Sequence, residues 1–177
     1  TNIKEYFNSQ ILLAASTEVA TENPSQAYEF CALHLAMPEK PAIVENAESL
    51  LRDTTYYMFM CQAGIYAYEA ERYSDAIEVL KQLNTPQAQE IAQRGVLIYA
   101  NQYLYQIYIE QKDTANAKAI LEAAINTYPE DPWFMQNLIN LYISSGDNTK
   151  AIELLDMAIN REPNVGQYHM IKGQVYS

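Results

Sequence analysis

The chain has 177 residues, 49% of them hydrophobic and 19% charged, and its 11 Lys+Arg against 22 Asp+Glu leave a formal charge of −11. This is enough apolar material for a folded core and too little charge for a disordered polyelectrolyte, and the acidic balance opposes nucleic-acid binding, which needs a basic footprint. With 5 Gly and 7 Pro the chain is poor in the punctuation of a many-turned β sandwich, which favours long helices.

In chain order, apolar periodicity and capping signals predict helices near 2–20, 24–37, 41–53, 54–70, 74–83, 86–111, 114–127, 132–144, 148–160 and 166–176. Asn23-Pro24, Thr85-Pro86 and Asp131-Pro132 each place a capping side chain before a proline whose missing N–H costs nothing in a first turn. Gly146 suits a left-handed helix end, and Asp147 or Asn148 suits the next cap. The stretch Thr54 to Tyr68 is apolar but bounded by Asp53 and Glu69 and broken by Gln62. It is shorter than the roughly 18 residues of a membrane span and reads as a core helix. Lys4 and Glu5 precede only the short apolar run Ile11 to Ala15, so no signal peptide is expected, and a chain opening on Thr reads as a trimmed or processed piece. Val96 to Ile109 is rich in β-branched and aromatic residues and by propensity alone suits a strand.

Self-similarity decides against the strand. Leu138-Ile139-x-x-Tyr142, Gly146-Asp147, Ala151-Ile152, Leu155, Ala158 and Pro163 have a counterpart 34 residues earlier in Leu104-Tyr105-x-x-Tyr108, Lys112-Asp113, Ala117-Lys118, Leu121, Ala124 and Pro129. A third copy starts at Gly173-x-x-Tyr176. Upstream, Met60, Ala63-Gly64, Ala76-Ile77 and Leu80 keep part of the pattern, with Ala67 where the aromatic is expected. The anchoring alanines Ala27, Ala76, Ala117 and Ala151 are 49, 41 and 34 residues apart, so the early units carry extra turns or an extra short helix.

These spacings resemble the tetratricopeptide repeat family, and in particular tetratricopeptide proteins of bacteria. The resemblance implies an all-α, right-handed superhelical solenoid of antiparallel helix pairs, with about four to five repeats and degenerate amino-terminal ones. As one domain over 1–177 it parses into a degenerate helical pair (1–40), a long repeat (41–85), two regular repeats (86–131 and 132–165) and a capping or truncated helix (166–177).

Catalytic material is scarce. His34 sits between Leu33 and Leu35 and His169 follows Tyr168, each isolated from partners in sequence, while Cys31 and Cys61 show no metal or redox spacing. Phosphate-binding, nucleophile-elbow and zinc-protease motifs are absent, and Glu130-Asp131 lies where a helix start favours carboxylates. The chain is therefore expected to be no enzyme and to use no metal and no other cofactor.

What the resemblance implies instead is a groove lined by the first helix of each pair. Helical spacing puts Met135, Leu138, Ile139 and Tyr142 inward and Trp133, Gln136, Asn137, Asn140 and Ser144 on the opposite face. The equivalents are Tyr99, Gln102, Tyr103, Gln106 and Glu110 one repeat earlier, Gln167, Met170 and Gln174 one repeat later, and Met58, Cys61, Ile65 and Tyr68 upstream. The candidate binding residues are Tyr99, Gln102, Gln106, Trp133, Gln136, Asn137, Asn140, Gln167 and Gln174. Uncharged amides pair with peptide backbone, and aromatics cover side chains. The basic clamp by which family members hold acidic tails is missing, because these positions carry no Lys or Arg.

The expected function is a protein- or peptide-binding scaffold for a neutral, hydrophobic or mildly basic extended segment, without nucleic acid or a membrane span. A homodimer is the alternative, and a helical enzyme or carbohydrate-binding domain, the latter suggested by 15 Tyr, is the reading from another class. The carboxyl repeats resemble those of exported bacterial tetratricopeptide proteins, which points to the cell envelope or periplasm, with the cytoplasm as alternative.

Overall fold

The computed structural model describes residues 11, 12, 14–35 and 53–176. The expected helix at 41–53 and the first half of the one at 2–20 lie outside the described residues, apart from Asp53, which caps the following helix. Among the described residues the regular structure is entirely helical. The chain divides into two compact units, Thr1–Gln111 and Lys112–Ser177.

The first unit contains α1 (Pro24–Leu35), α2 (Thr54–Glu69), α3 (Tyr73–Lys81), a 3₁₀ turn (Gln82–Asn84), α4 (Pro86–Ile91) and α5 (Arg94–Glu110). Helix α2 is its centre, packing on α1, α3 and α5, while α3 also packs on α5. Ala27 and Cys31 of α1 meet Phe59, Ala63 and Tyr66 of α2 in a buried cluster flanked by Val19, Ala20, Tyr28, Leu35 and Val79. Two small residues, Ala63 and Gly64, bring α2 close to its neighbours. A β-carbon on Gly64 would collide with Leu80 of α3.

The second unit contains α6 (Thr114–Thr127), α7 (Pro132–Ser144), α8 (Asn148–Arg161) and α9 (Gly166–Val175); α7 packs on α6, α8 on α7 and α9 on α8. Its buried residues are those of the repeat pattern: Ala117, Leu121 and Ala124 on α6, Met135, Leu138, Ile139 and Tyr142 on α7, and Ala151, Leu155 and Ala158 on α8. Between α6 and α7 the connection is held by Tyr128 stacked on Phe134, with ring centroids 5.8 Å apart.

Helix ends follow the capping chemistry. The side chains of Thr85, Asp131 and Asp147 accept from Ala88 N, Trp133 N and Lys150 N, Asn23 Oδ1 accepts from Gln26 N at 3.1 Å, and the further caps Asp53 and Asp113 accept from Tyr56 N and Asn116 N. Left-handed residues follow α2, α5 and α7: Glu71 (φ 58°), Lys112 (φ 58°) and Gly146 (φ 77°). After α2 the amides of Glu71 and Arg72 donate to the Tyr68 and Ala67 carbonyls, and after α7 those of Gly146 and Asp147 donate to Ile143 and Tyr142. Both are the Schellman arrangement, which satisfies carbonyls that a helix end leaves open.

The segment Val96 to Ile109 lies within α5, so helical packing overrides its strand propensity. One expectation needs correction. The single helix over 86–111 is two helices, parted by the extended residues Ala92 (ψ 150°) and Gln93 (ψ 135°). The bend lets the short α4 bury Ala88 while α5 runs along α2 and α3, which one straight rod would not do.

Candidate functional site

On α7 the four inward residues Met135, Leu138, Ile139 and Tyr142 are buried, and Gln136, Asn140 and Ser144 are exposed on the far side. Trp133 and Asn137 are half-buried between them. Asn137 Nδ2 donates to the Trp133 carbonyl at 2.8 Å, one turn back in the same helix, so half of its amide is spent locally. The side-chain amides of Gln136 and Asn140 make no hydrogen bond among the described residues, leaving their donors and acceptors to water or a ligand. Trp133 stands edge-on to Phe134, 5.3 Å between centroids, with Phe134 fully buried beneath. On α9, Gln167 and Gln174 are exposed, as is Met170.

In the first unit, α5 exposes Tyr99 and Gln106 and half-buries Gln102. Gln106 Nε2 donates to Glu110 Oε1 at 3.0 Å, and the Tyr68 hydroxyl of α2 donates to the same oxygen at 2.7 Å. Tyr103 sets its edge against Tyr68 at 5.4 Å, and Tyr73 lies 6.1 Å from Tyr68. The hydrogen bond to Glu110 pushes the Tyr68 phenol up to about 12, helped by burial. Hydrogen bonding toward the same carboxylate raises Tyr73, and the Tyr68 and Gln106 donors hold Glu110 below the usual carboxylate range. Sequence spacing found Tyr68, Tyr103, Gln106 and Glu110 but missed Tyr73, which the left-handed turn at Glu71 folds back beside Tyr68. Cys61, placed on this face by helical spacing, is buried, with its thiol 3.7 Å from the Val96 carbonyl and pushed up to about 11 by burial.

The buried Asn101 also escaped the periodicity. It exchanges amide hydrogen bonds with Asn84 at 3.0 Å in both directions and donates to the Leu97 carbonyl at 2.8 Å. This pair pins the 3₁₀ turn to α5.

The remaining candidate groups are structural in their surroundings. His34 lies 4.3 Å from the Phe59 ring and burial lowers its pKa against the opposing charge of Asp53, while His169 Nε2 is 3.1 Å from the Pro163 carbonyl. Among the described residues, an apolar recess is lined by Ala32, Leu35, Tyr56, Met60, Val79 and Gln82, none of them a histidine or a carboxylate. Among the described residues no three metal-ligating side chains gather, and no helix is long and apolar enough to cross a membrane.

Comparison with known proteins agrees with the repeat geometry. The family model described as "Tetratricopeptide repeat" matches residues 108–175. No curated protein sequence matches the chain. Among solved structures, the chain is similar to "MamA RS-1 ArsTM double mutant", with a TM-score of 0.61 and 18% identity over 95% of this chain and 83% of that one. It is similar also to "MamA 41-end from Desulfovibrio magneticus RS-1", with a TM-score of 0.58, the same 18% identity and the same coverage. At that identity the likeness establishes a shared fold. Recurring helix pairs, caps in register and the matched segment lead to one assignment: the hairpins of residues 108–175 are tetratricopeptide repeats.

Proposed function

We propose that the chain is a non-catalytic scaffold that binds an extended protein segment along the exposed faces of its first helices. The observation that carries this reading is the row on α7, where Gln136 and Asn140 stand solvent-exposed and unbonded beside the half-buried Trp133. Amides without internal partners pair with a peptide backbone in either sense, and the indole covers an apolar side chain. Gln167 and Gln174 on α9, and Tyr99, Gln102 and Gln106 on α5, belong to the same proposed set. Because these positions carry no cation, the segment recognised is neutral, apolar or mildly basic, not an acidic tail.

The test is selection of binders from a displayed library of random unstructured peptides, followed by affinity measurement on variants. Trp133→Ala and Asn140→Ala are expected to keep the helical circular dichroism and to weaken the selected peptides by about tenfold or more together. Undiminished affinity in both variants moves the site off α7. A homodimer is the second reading, favoured by Met170 and Tyr176, which are 59% and 67% exposed at the α9 end of the chain. Light scattering across a concentration series distinguishes it, since a mass that stays monomeric removes it.

A further inference from the structure

The scaffold reading leaves open what side chain the first unit selects, and the arrangement around Glu110 answers in chemical terms. Tyr68 from the end of α2, Tyr73 from the start of α3 and Tyr103 from α5 collect around one exposed carboxylate. The Tyr68 hydroxyl and Gln106 Nε2 both donate to Glu110 Oε1. These bonds hold the exposed carboxylate in place, and with about four acceptor sites it can still take N–H groups from outside. No ion pair involving Glu110 exists among the described residues, although Arg72, Lys118, Lys150 and Lys172 all pair with carboxylates elsewhere. The charges acting on these phenols are those of Glu110 on Tyr68, Glu110 and Glu71 on Tyr73, and Glu69 on Tyr103, all of one sign.

An oriented carboxylate edged by aromatic rings, in a field without a compensating cation, matches a specific ligand chemistry. Ring faces attract a cation through their quadrupole, and the exposed carboxylate accepts its N–H groups. Elsewhere in this chain the same pieces already meet a cation. Arg72 lies over the Tyr28 ring at 4.3 Å while its Nε donates to Asp75 at 2.7 Å, and Lys118 lies over Tyr142 at 4.4 Å while pairing with Glu122. Around Glu110 the tyrosines and the carboxylate are assembled without the cation.

We propose that Glu110 with Tyr68, Tyr73 and Tyr103 is a seat for one cationic side chain, an arginine or lysine, of a protein partner. The proposal rests on the scaffold reading and supplies the basic residue of the bound segment. The −11 charge of the chain favours the approach of such a segment.

The experiment follows the tyrosine ring resonances of the full chain during titration with acetyl-Gly-Arg-Gly-amide, its lysine counterpart and its uncharged citrulline counterpart. The rings of Tyr68, Tyr73 and Tyr103 are expected to shift with the arginine or lysine peptide and to stay put with citrulline. Glu110→Gln should weaken the responding peptide by about tenfold, and Tyr68→Phe, which keeps the ring and frees the carboxylate, by less. The larger response of the two charged peptides identifies the preferred cation. An equal response to citrulline overturns the proposal, as does unchanged affinity in both Glu110→Gln and Glu110→Asp with wild-type circular dichroism. Failure here is distinct from failure of the scaffold reading, because library-selected peptides would still lose affinity in Trp133→Ala and Asn140→Ala.

Discussion

Leu80 of α3 fills the space that a side chain at Gly64 of α2 would need, and both residues are buried. In an isolated helix Gly→Ala gains about 1 kcal/mol from propensity. Here the sign reverses, because Leu80 is fully enclosed and has nowhere to move. Gly64→Ala is expected to destabilise the first unit by about 1–3 kcal/mol. Urea unfolding of Gly64→Ala in the wild-type and Leu80→Ala backgrounds checks the cause, since the penalty should disappear once Leu80 is shortened.

The reciprocal amide pair makes a directional prediction. Asn84 is exposed and Asn101 is 4% exposed, so removing the outer partner leaves the inner one with an unmet acceptor in the interior. Asn84→Ala is expected to cost about 1–3 kcal/mol, more than an exposed alanine substitution ordinarily does. A denaturation midpoint within error of wild type would mean that water replaces Asn84 at no loss.

Alkaline stability reports on the Tyr142 phenol. Burial, then its hydrogen bond to Glu122 at 2.7 Å, pushes it up to about 12 from the ordinary 10.0. A group whose pKa is raised by folding stabilises fully below its unfolded value, and that contribution is lost as pH rises through the folded one. The second unit should therefore lose stability between pH 10 and 12, and Tyr142→Phe should flatten that part of the profile. Glu110 behaves oppositely. Its carboxyl is lowered from the ordinary 4.5, so its contribution is present above that pH and falls away as acid protonates it below. Chemical denaturation at stepped pH, with Glu110→Gln as control at the acid end, measures both.

Left-handed turns should respond to glycine in opposite ways. Gly146→Ala places a β-carbon at φ 77° and is expected to cost about 1 kcal/mol. Lys112→Gly, at φ 58°, relieves that strain and should gain up to about 1 kcal/mol, reduced by the entropy glycine adds to the unfolded chain. Thermal unfolding of the two single variants tests the pair, and shifts of the same sign would show that turn strain is not what is being measured.

How far the fold can be read from sequence depended on the kind of signal. The α6–α8 helices have the expected bounds to within one residue because caps at Asp113, Asp131 and Asp147 coincide with the 34-residue repetition. Local chemistry and periodicity agreed there. The break at Ala92–Gln93 was hidden because neither residue is a helix breaker; it arises from tertiary burial of Ala88 against the rest of the unit. Asn101 read as one more polar residue because its partner, Asn84, is 17 positions away in a turn whose geometry is not periodic. Of the candidate binding residues, Gln136 and Asn140 lie on the exposed face that the spacing implied, whereas the meeting of Tyr73 with Tyr68 and Glu110 required three elements to be folded together.

The residues of positive φ also serve as markers from which the spacing along the chain can be measured. From Glu71 to Lys112 is 112 − 71 = 41 residues and from Lys112 to Gly146 is 146 − 112 = 34. The reversals at Glu71 and Gly146 share one bond pattern, while the linkers vary, with twelve residues at 82–93 and four at 128–131. The longer linker is therefore a packed insert and not slack: Leu83 and Ala88 within it are fully buried and Asn84 is paired with Asn101, so the extra length is held by contacts that an insertion there would have to preserve.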